Sequence, residues 1–303
     1  MPVRSISKRS APLFALLLLC IQALAGCSRQ PAPATKTDAT IPAAAEAPKR
    51  IVSLAPSLTE MLYAIGAGPQ LVGRTSACDW PAEAEKVPVV GSFGRPSLEV
   101  LASMNPDLVL DVDLADEQAA KKMAEMHLRR EHIRCQDPEE LPAALRKLGA
   151  LTGHVRQADS LATVIEKGLA EYRKEAAAKT RKPLIYLEIW NDPLWTGGNK
   201  SFVSRLIGYA GGRNIGDAVE KEYFEVSPEW VIRENPEIIA CMYMANETPA
   251  AGDVKKRPGW QGISAVQQNR VYDKFDNRLY LRPGPRILEG IAGMKKLIES
   301  NEE

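Results

Sequence analysis

The chain has almost no surplus charge: among 303 residues, 39 are basic and 38 acidic, leaving a formal +1. Nucleic-acid binding starts from a strong basic field, and this composition does not supply one. Histidine is scarce as well. His127, His132 and His154 are the whole complement, and none sits in a cluster with cysteines, so neither a structural zinc site nor a metal-ion receptor is expected. Nor is there a Gly-x-Ser-x-Gly elbow or a Ser, His, Asp constellation to supply a hydrolytic nucleophile. Gly66-x-Gly68 is followed by Gly73 and comes after a helix, where a dinucleotide fingerprint would precede one; these glycines read as helix caps. Core material is plentiful, at 45% hydrophobic residues, which excludes disorder as the main state. The length suits two domains, with one large domain as the alternative.

A long membrane-spanning run is missing too. Ala11 to Ala25 is apolar but short, and Arg4, Lys8 and Arg9 precede it, the pattern of an export leader. Leu24-Ala25-Gly26-Cys27 closes the run and resembles a bacterial lipobox, which makes residues 1–26 a lipoprotein signal peptide and Cys27 the lipidated N-terminus. Removing the three leader cations leaves about −2 on the mature chain. Residues 28–48 hold four Pro and seven Ala with no aromatic residue and read as part of a flexible tether over 27–48. The expected location is therefore outside the cytoplasm, anchored to a bacterial membrane on its periplasmic or outer face. Cys78, Cys135 and Cys241 remain, an odd number; Cys78 with Cys135 is one candidate disulfide, and buried free thiols are the alternative.

The globular part repeats itself. Ile51 to Leu54 reads as a strand, Ser57-Leu-Thr-Glu60 as a capping box opening a helix to Ile65, Leu71 to Gly73 and Val87 to Val90 as strands, Ser97 onward as a helix, and Leu108 to Leu110 as a strand after Asn105-Pro106. Leu184 to Leu187, Phe202 to Tyr209 with Gly211-Gly212, Ser227-Pro-Glu229, and Asn235-Pro236 before Ile238 to Ala240 restate that text at offsets of about 130 to 145. Ile133 to Cys135 and Val271 to Tyr272 read as one further strand in each copy. Two α/β lobes with Rossmann-like parallel sheets follow, over 49–152 and 183–303. Between them, His154 to Lys182 has no Pro, one Gly and apolar residues at three and four, which predicts one linking helix over 153–182. About 26 helical residues reach roughly 39 Å. A rod of that kind keeps lobe closure small.

Two such lobes on one helix, behind a lipobox and tether, resemble the class III, helical-backbone binding proteins of ABC importers, which carry cobalamin, ferric siderophores or haem. Arg50 to Ser57 with Thr59-Glu60, the Ser-x-Glu turns at Glu99 and Glu229, and Arg282-Pro-Gly-Pro-Arg286 carry the resemblance over residues 49–299. Cys78-Asp-Trp-Pro81, Trp195-Thr-Gly-Gly198 and Ser201-Phe202 look most like the cobalamin-binding branch. The resemblance implies no chemistry and no cofactor, with cobalamin as the transported ligand and ABC permease subunits as partners. It also implies that Glu99 and Glu229 dock on those subunits; from spacing alone they equally serve the helix dipoles.

The ligand crevice should lie beyond the strand ends, between the lobes. Trp80, Phe93, Trp190, Trp195, Tyr223, Phe224 and Tyr280 fall on loops or strand ends, and flat rings suit a corrin or porphyrin. Trp80, Phe93, Trp195, Tyr223 and Tyr280 are the expected ring contacts. Arg282 matches a family arginine at the cleft, Arg95 is a second candidate donor, and Arg286 is expected to be structural. Two convergent arginines are few for a ferric siderophore. The alternatives to cobalamin are a siderophore or haem and, more distantly, a lipoprotein enzyme with an interlobe site.

Overall fold

Strands covered on both faces are mainly apolar, and Ile51–Ser53 (β1) and Leu108–Asp111 (β5) are buried at every position, with a polar residue only at the carboxyl end of each. They form the middle of the first of two parallel sheets. The computed structural model describes residues 47–112, 114, 117–243 and 250–300; the leader, Cys27 and nearly all of the 27–48 tether lie outside the described residues. After β1 come helix Pro56–Ala64 (α1), strand Leu71–Arg74 (β2), the two-strand hairpin Gly91–Ser92 (β3) and Arg95–Pro96 (β4), and helix Leu98–Ser103 (α2). Following β5 are Glu117–Glu125 (α3), strand Arg130–His132 (β6) and helix Leu141–Thr152 (α4). The sheet order is β2-β1-β5-β6.

The second half repeats the winding. Strand Leu184–Glu188 (β7), hairpin strands Trp190–Asn191 (β8) and Leu194–Gly197 (β9), helix Phe202–Tyr209 (α6, numbered after the connecting helix below) and strand Arg213–Asn214 (β10) come first. Then come Tyr223–Glu225 (β11), Pro228–Glu234 (α7), Ile238–Cys241 (β12), Ala250–Lys256 (α8), Ser264–Gln267 (α9), Val271–Tyr272 (β13), Arg278–Leu281 (α10) and Ile287–Glu299 (α11). Its parallel sheet runs β10-β7-β12-β13, the same second-first-third-fourth order, while β11, β9 and β8 form a separate antiparallel sheet. The joints match too. Gly66 and Gly211 both close a helix at φ +87°, and Asn105 and Asn235 both take left-handed backbone, at 43° and 49°, before their prolines.

Three local expectations give way. No side chain caps α1: Ala55 is its N-cap, Thr59 instead donates to Ser53 Oγ at 2.8 Å, and Glu60 turns elsewhere. The strand expected at Ile133 to Cys135 lies three residues earlier, at β6. Val87 to Val90 contributes only a single bridge, Arg74 to Val89.

The connecting helix is Val155–Ala178 (α5), whose 24 residues span about 36 Å. It ends four residues short of Lys182. Its buried face is small: Ala158, Ala162, Ile165, Leu169 and Ala176. Small residues let neighbouring helices approach, and two glycines mark the crossings. A Cβ on Gly149 of α4 would stand 2.4 Å from that of Ala158, and one on Gly168 would stand 2.6 Å from Leu288 of α11. Around this helix one apolar cluster joins Ile51, Leu58 and Leu145 of the first half, Ile165 and Leu169 of α5, and Leu206, Ile287 and Ile291 of the second. Each half keeps only a smaller outer cluster to itself. Each fully buried Leu or Ile contributes about 1.5–3 kcal/mol, so a hinge motion that split the shared cluster would be costly. Gly149→Ala gains helix propensity but forces that contact; urea unfolding should show a net loss of about 1–2 kcal/mol, and an unchanged midpoint would mean α4 and α5 are not tightly apposed.

Candidate functional site

Each strand of a parallel sheet delivers its carboxyl end to a loop, and on the first half these loops form one wall of a cleft of about 530 Å³. Pro56, Ser57 and Met61 follow β1, Ala77 follows β2, Val112 follows β5, and Ile133 to Gln136 follow β6. Opposite them stand Lys200, Phe202, Glu222, Tyr223 and Leu281 to Pro283 from the second half, with Phe93 from the β3–β4 hairpin completing the lining. The volume falls within the roughly 300–1,000 Å³ of small-molecule sites. The wall is mainly apolar, with few polar groups.

One side of the cleft is clasped by charge. Glu60, with 2% of its side chain exposed, accepts from Arg282 Nη1 at 3.1 Å and from Arg286 Nε and Nη2 at 3.0 and 3.1 Å. Arg282 also donates to Asp79 Oδ1 at 2.6 Å. Partial burial works to raise the Asp79 carboxyl, but the hydrogen bond and charge of Arg282, with the charge of Arg278, hold it below the usual carboxylate value. The glutamate that read as a capping partner is therefore the anchor of two arginines 222 and 226 residues away in sequence.

The expected ring contacts divide. Phe93 and Tyr223 line the cleft, as does Arg282. Burial, with the Glu222 carboxylate adding to it, pushes the Tyr223 phenol up to about 12. Trp80 does not line it: the guanidiniums of Arg286 and Arg278 sit 4.4 and 5.0 Å from its ring centroid. Tyr280 is 3% exposed and packs edge-on against Phe275 at 5.3 Å, inside the core rather than on the crevice. Trp195 is paired with Trp190 across the β8–β9 hairpin, outside the lining, and Arg95 is exposed on β4. Arg134, Gln136, Lys200 and Glu222 were not anticipated. Placing the strand at 133–135 hides Arg134, because once β6 ends at His132 this residue falls on the strand-end loop that faces the cleft, together with Gln136.

A family model described as periplasmic binding protein matches residues 51–275. The chain belongs to that family. Similar relatives include an uncharacterized ABC transporter substrate-binding lipoprotein of Bacillus subtilis, 29% identical across 96% of this chain and 98% of its own. The vitamin B12-binding protein of Pectobacterium atrosepticum is 30% identical across 80% of this chain and 85% of its own. Among solved structures, the periplasmic heme-binding protein RhuT of Roseiflexus sp. RS-1, in apo form, superposes with TM-score 0.75 at 25% identity, covering 83% of this chain and 98% of that one. The periplasmic vitamin B12-binding protein of Vibrio cholerae shares the fold, with TM-score 0.73 at 22% identity over 84% and 99%. These are solute-binding proteins, and this chain is a binding protein of the same kind rather than an enzyme.

In this periplasmic binding protein the two Ser-x-Glu turns open α2 and α7. Ser97 and Ser227 accept from the amides of Val100 and Trp230 at 3.4 and 3.2 Å, so both act as N-caps, and Glu99 and Glu229 are exposed in the first turns. Hydrogen bonds from its own backbone amide and from Ser227 hold the Glu229 carboxyl below the usual value. Cys78, Cys135 and Cys241 are free and buried, so Cys78 and Cys135 do not pair; burial pushes the Cys135 thiol up to about 12. Among the described residues no three His, Cys, Asp or Glu side chains converge as a metal site, and no helix is long and apolar enough to cross a membrane. Glu60→Gln removes the charge that two arginines share in a buried site, and urea unfolding at neutral pH should record a loss of about 3–5 kcal/mol; a loss below about 1 kcal/mol would show the clasp to be dispensable.

Proposed function

We propose that this protein is the substrate-binding lipoprotein of an ABC importer, holding cobalamin or a related corrinoid in the interlobe cleft and passing it to a permease. The observation that carries the ligand assignment is the lining: Phe93 and Tyr223 face an apolar cleft in which each cation has a carboxylate beside it. Arg282 is held by Glu60 and Asp79, while Arg134 stands 2.7 Å from Glu222 and Lys200 3.8 Å from Glu220, so a carboxylate offsets each positive charge near the cleft. A polyanionic siderophore needs converging charges left for the ligand, whereas a large, nearly neutral ring needs apolar area and a few hydrogen bonds. The vitamin B12-binding relatives support the same choice. Haem is the second reading, supported by the heme-binding neighbour.

In this reading residues 1–26 are the leader, Cys27 carries the lipid, residues 27–48 are the tether, and lobes 49–152 and 183–303 flank the connector 153–182. The lipoprotein name of the Bacillus subtilis relative, aligned over 96% of this chain, supports export and anchoring. Glu99 and Glu229, exposed at equivalent turns of the two halves, are the proposed contacts to the permease. Tryptophan quenching on titration with cobalamin, haemin and a ferric siderophore should saturate with cobalamin. Phe93→Ala and Tyr223→Ala should each weaken that binding roughly two- to tenfold; saturation by haemin alone would move the assignment to haem. Glu99→Lys and Glu229→Lys should each abolish nutrient uptake by cells while leaving the titration unchanged, and growth equal to wild type would remove these residues from the docking surface.

A further inference from the structure

Inside the cleft one polar group spans the gap between the halves. Glu222, just before β11, accepts from Arg134 Nη2 at Oε2, 2.7 Å, and from Gln136 Nε2 at Oε1, 2.5 Å, both donors lying on the loop after β6. All three line the cleft, beside Tyr223 and Phe93. The pair is accessible: 36% of the Arg134 side chain and 39% of the Glu222 side chain are exposed, against 2% for Glu60 in the clasp. A half-exposed ion pair contributes no more than about 1 kcal/mol, so an incoming ligand can separate it cheaply, whereas the clasp stays shut.

Once separated, the three side chains present a defined pattern. Arg134 offers only donors, Glu222 as a carboxylate only acceptors, and Gln136 one of each kind. We propose that Arg134, Gln136 and Glu222 are specificity-determining residues that read a primary amide on the ligand. The amide carbonyl accepts from Arg134 and its N–H₂ donates to Glu222, so the ligand takes up the hydrogen bond the two side chains gave each other and the cleft gains no net charge. A carboxylic acid at the same place satisfies Arg134 but, when ionised, leaves Glu222 facing a like charge with no proton between them. Sites that would strand a polar group reject the mismatched ligand far more strongly than apolar pockets do. The inference rests on the corrinoid reading, since corrinoids carry peripheral amides around a neutral-to-cationic ring, whereas porphyrins carry acids.

The test compares affinities of the full-length protein for cyanocobalamin and for its mono-acid derivatives, each with one peripheral amide hydrolysed. Wild type should reject at least one mono-acid, and Glu222→Gln should lower that amide-to-acid ratio tenfold or more, chiefly by tightening acid binding. Glu222→Asp keeps the charge and should keep the rejection; matching unfolding midpoints establish that the variants are folded. If no mono-acid is rejected, or if Glu222→Gln shifts amide and acid by the same factor, the amide-reading role is wrong while the corrinoid reading stands. If wild type binds haemin and no corrinoid, the corrinoid reading fails and this inference fails with it.

Discussion

Burying a carboxylate is costly unless opposite charge and hydrogen bonds replace its water, and Glu60 is placed so that the replacement comes from the other half of the chain. Arg282 and Arg286 reach α1 from the segment between α10 and α11, and withdrawing both would leave Glu60 uncompensated. The clasp thus holds one side of the cleft at a set width. Trp80 lies under the guanidiniums of Arg286 and of Arg278, so an aromatic ring that looks available for a ligand is already a cation–π partner.

The shared apolar cluster does on the inner side what the clasp does at the cleft. Because Ile51 and Leu206 belong to one cluster with the face of α5 between them, the halves do not have independent cores that could swing apart. A core shared in this way resists closing or opening of the halves about the cleft. Movement is left to what the clasp and cluster do not hold: exposed side chains such as Phe93, and the half-exposed bridge from Arg134 to Glu222.

The architecture was legible because it is written twice. A Ser-x-Glu turn, an Asn-Pro break and an aliphatic strand recur in register, and each has a local cause: a cap, a left-handed residue, a run buried on both faces. The site was legible only in part. Phe93, Tyr223 and Arg282 could be named as an exposed ring or a loop arginine, yet Tyr280 and Trp80 have the same sequence character and are spent on packing and on arginine. Which ring faces the crevice is decided by partners more than a hundred residues away, as Arg286 decides it for Trp80. Arg134 failed differently. Ile133, Cys135 and their neighbours have strand-like alternation, with 133 and 135 buried and 134 exposed, so periodicity alone extended the strand past His132.

The two copies have kept some features and lost others, and the division follows what each feature faces. The capped turns bearing Glu99 and Glu229 remain alike, as do the helix-closing glycines and the sheet order, all properties of a lobe taken by itself. The lining has diverged in part: Phe93 and Tyr223 each stand four residues before the capping serine of their half and both remain aromatic, whereas an arginine and a glutamine after β6 meet a glutamate before β11. Each half thus contributes one ring to the cleft from an equivalent position, while the polar groups that meet across it differ. What persists includes the caps, turns and strand order that each lobe needs in order to fold, and what has changed is the pairing of polar side chains where the lobes face one another, a surface that no element of either lobe fixes by itself.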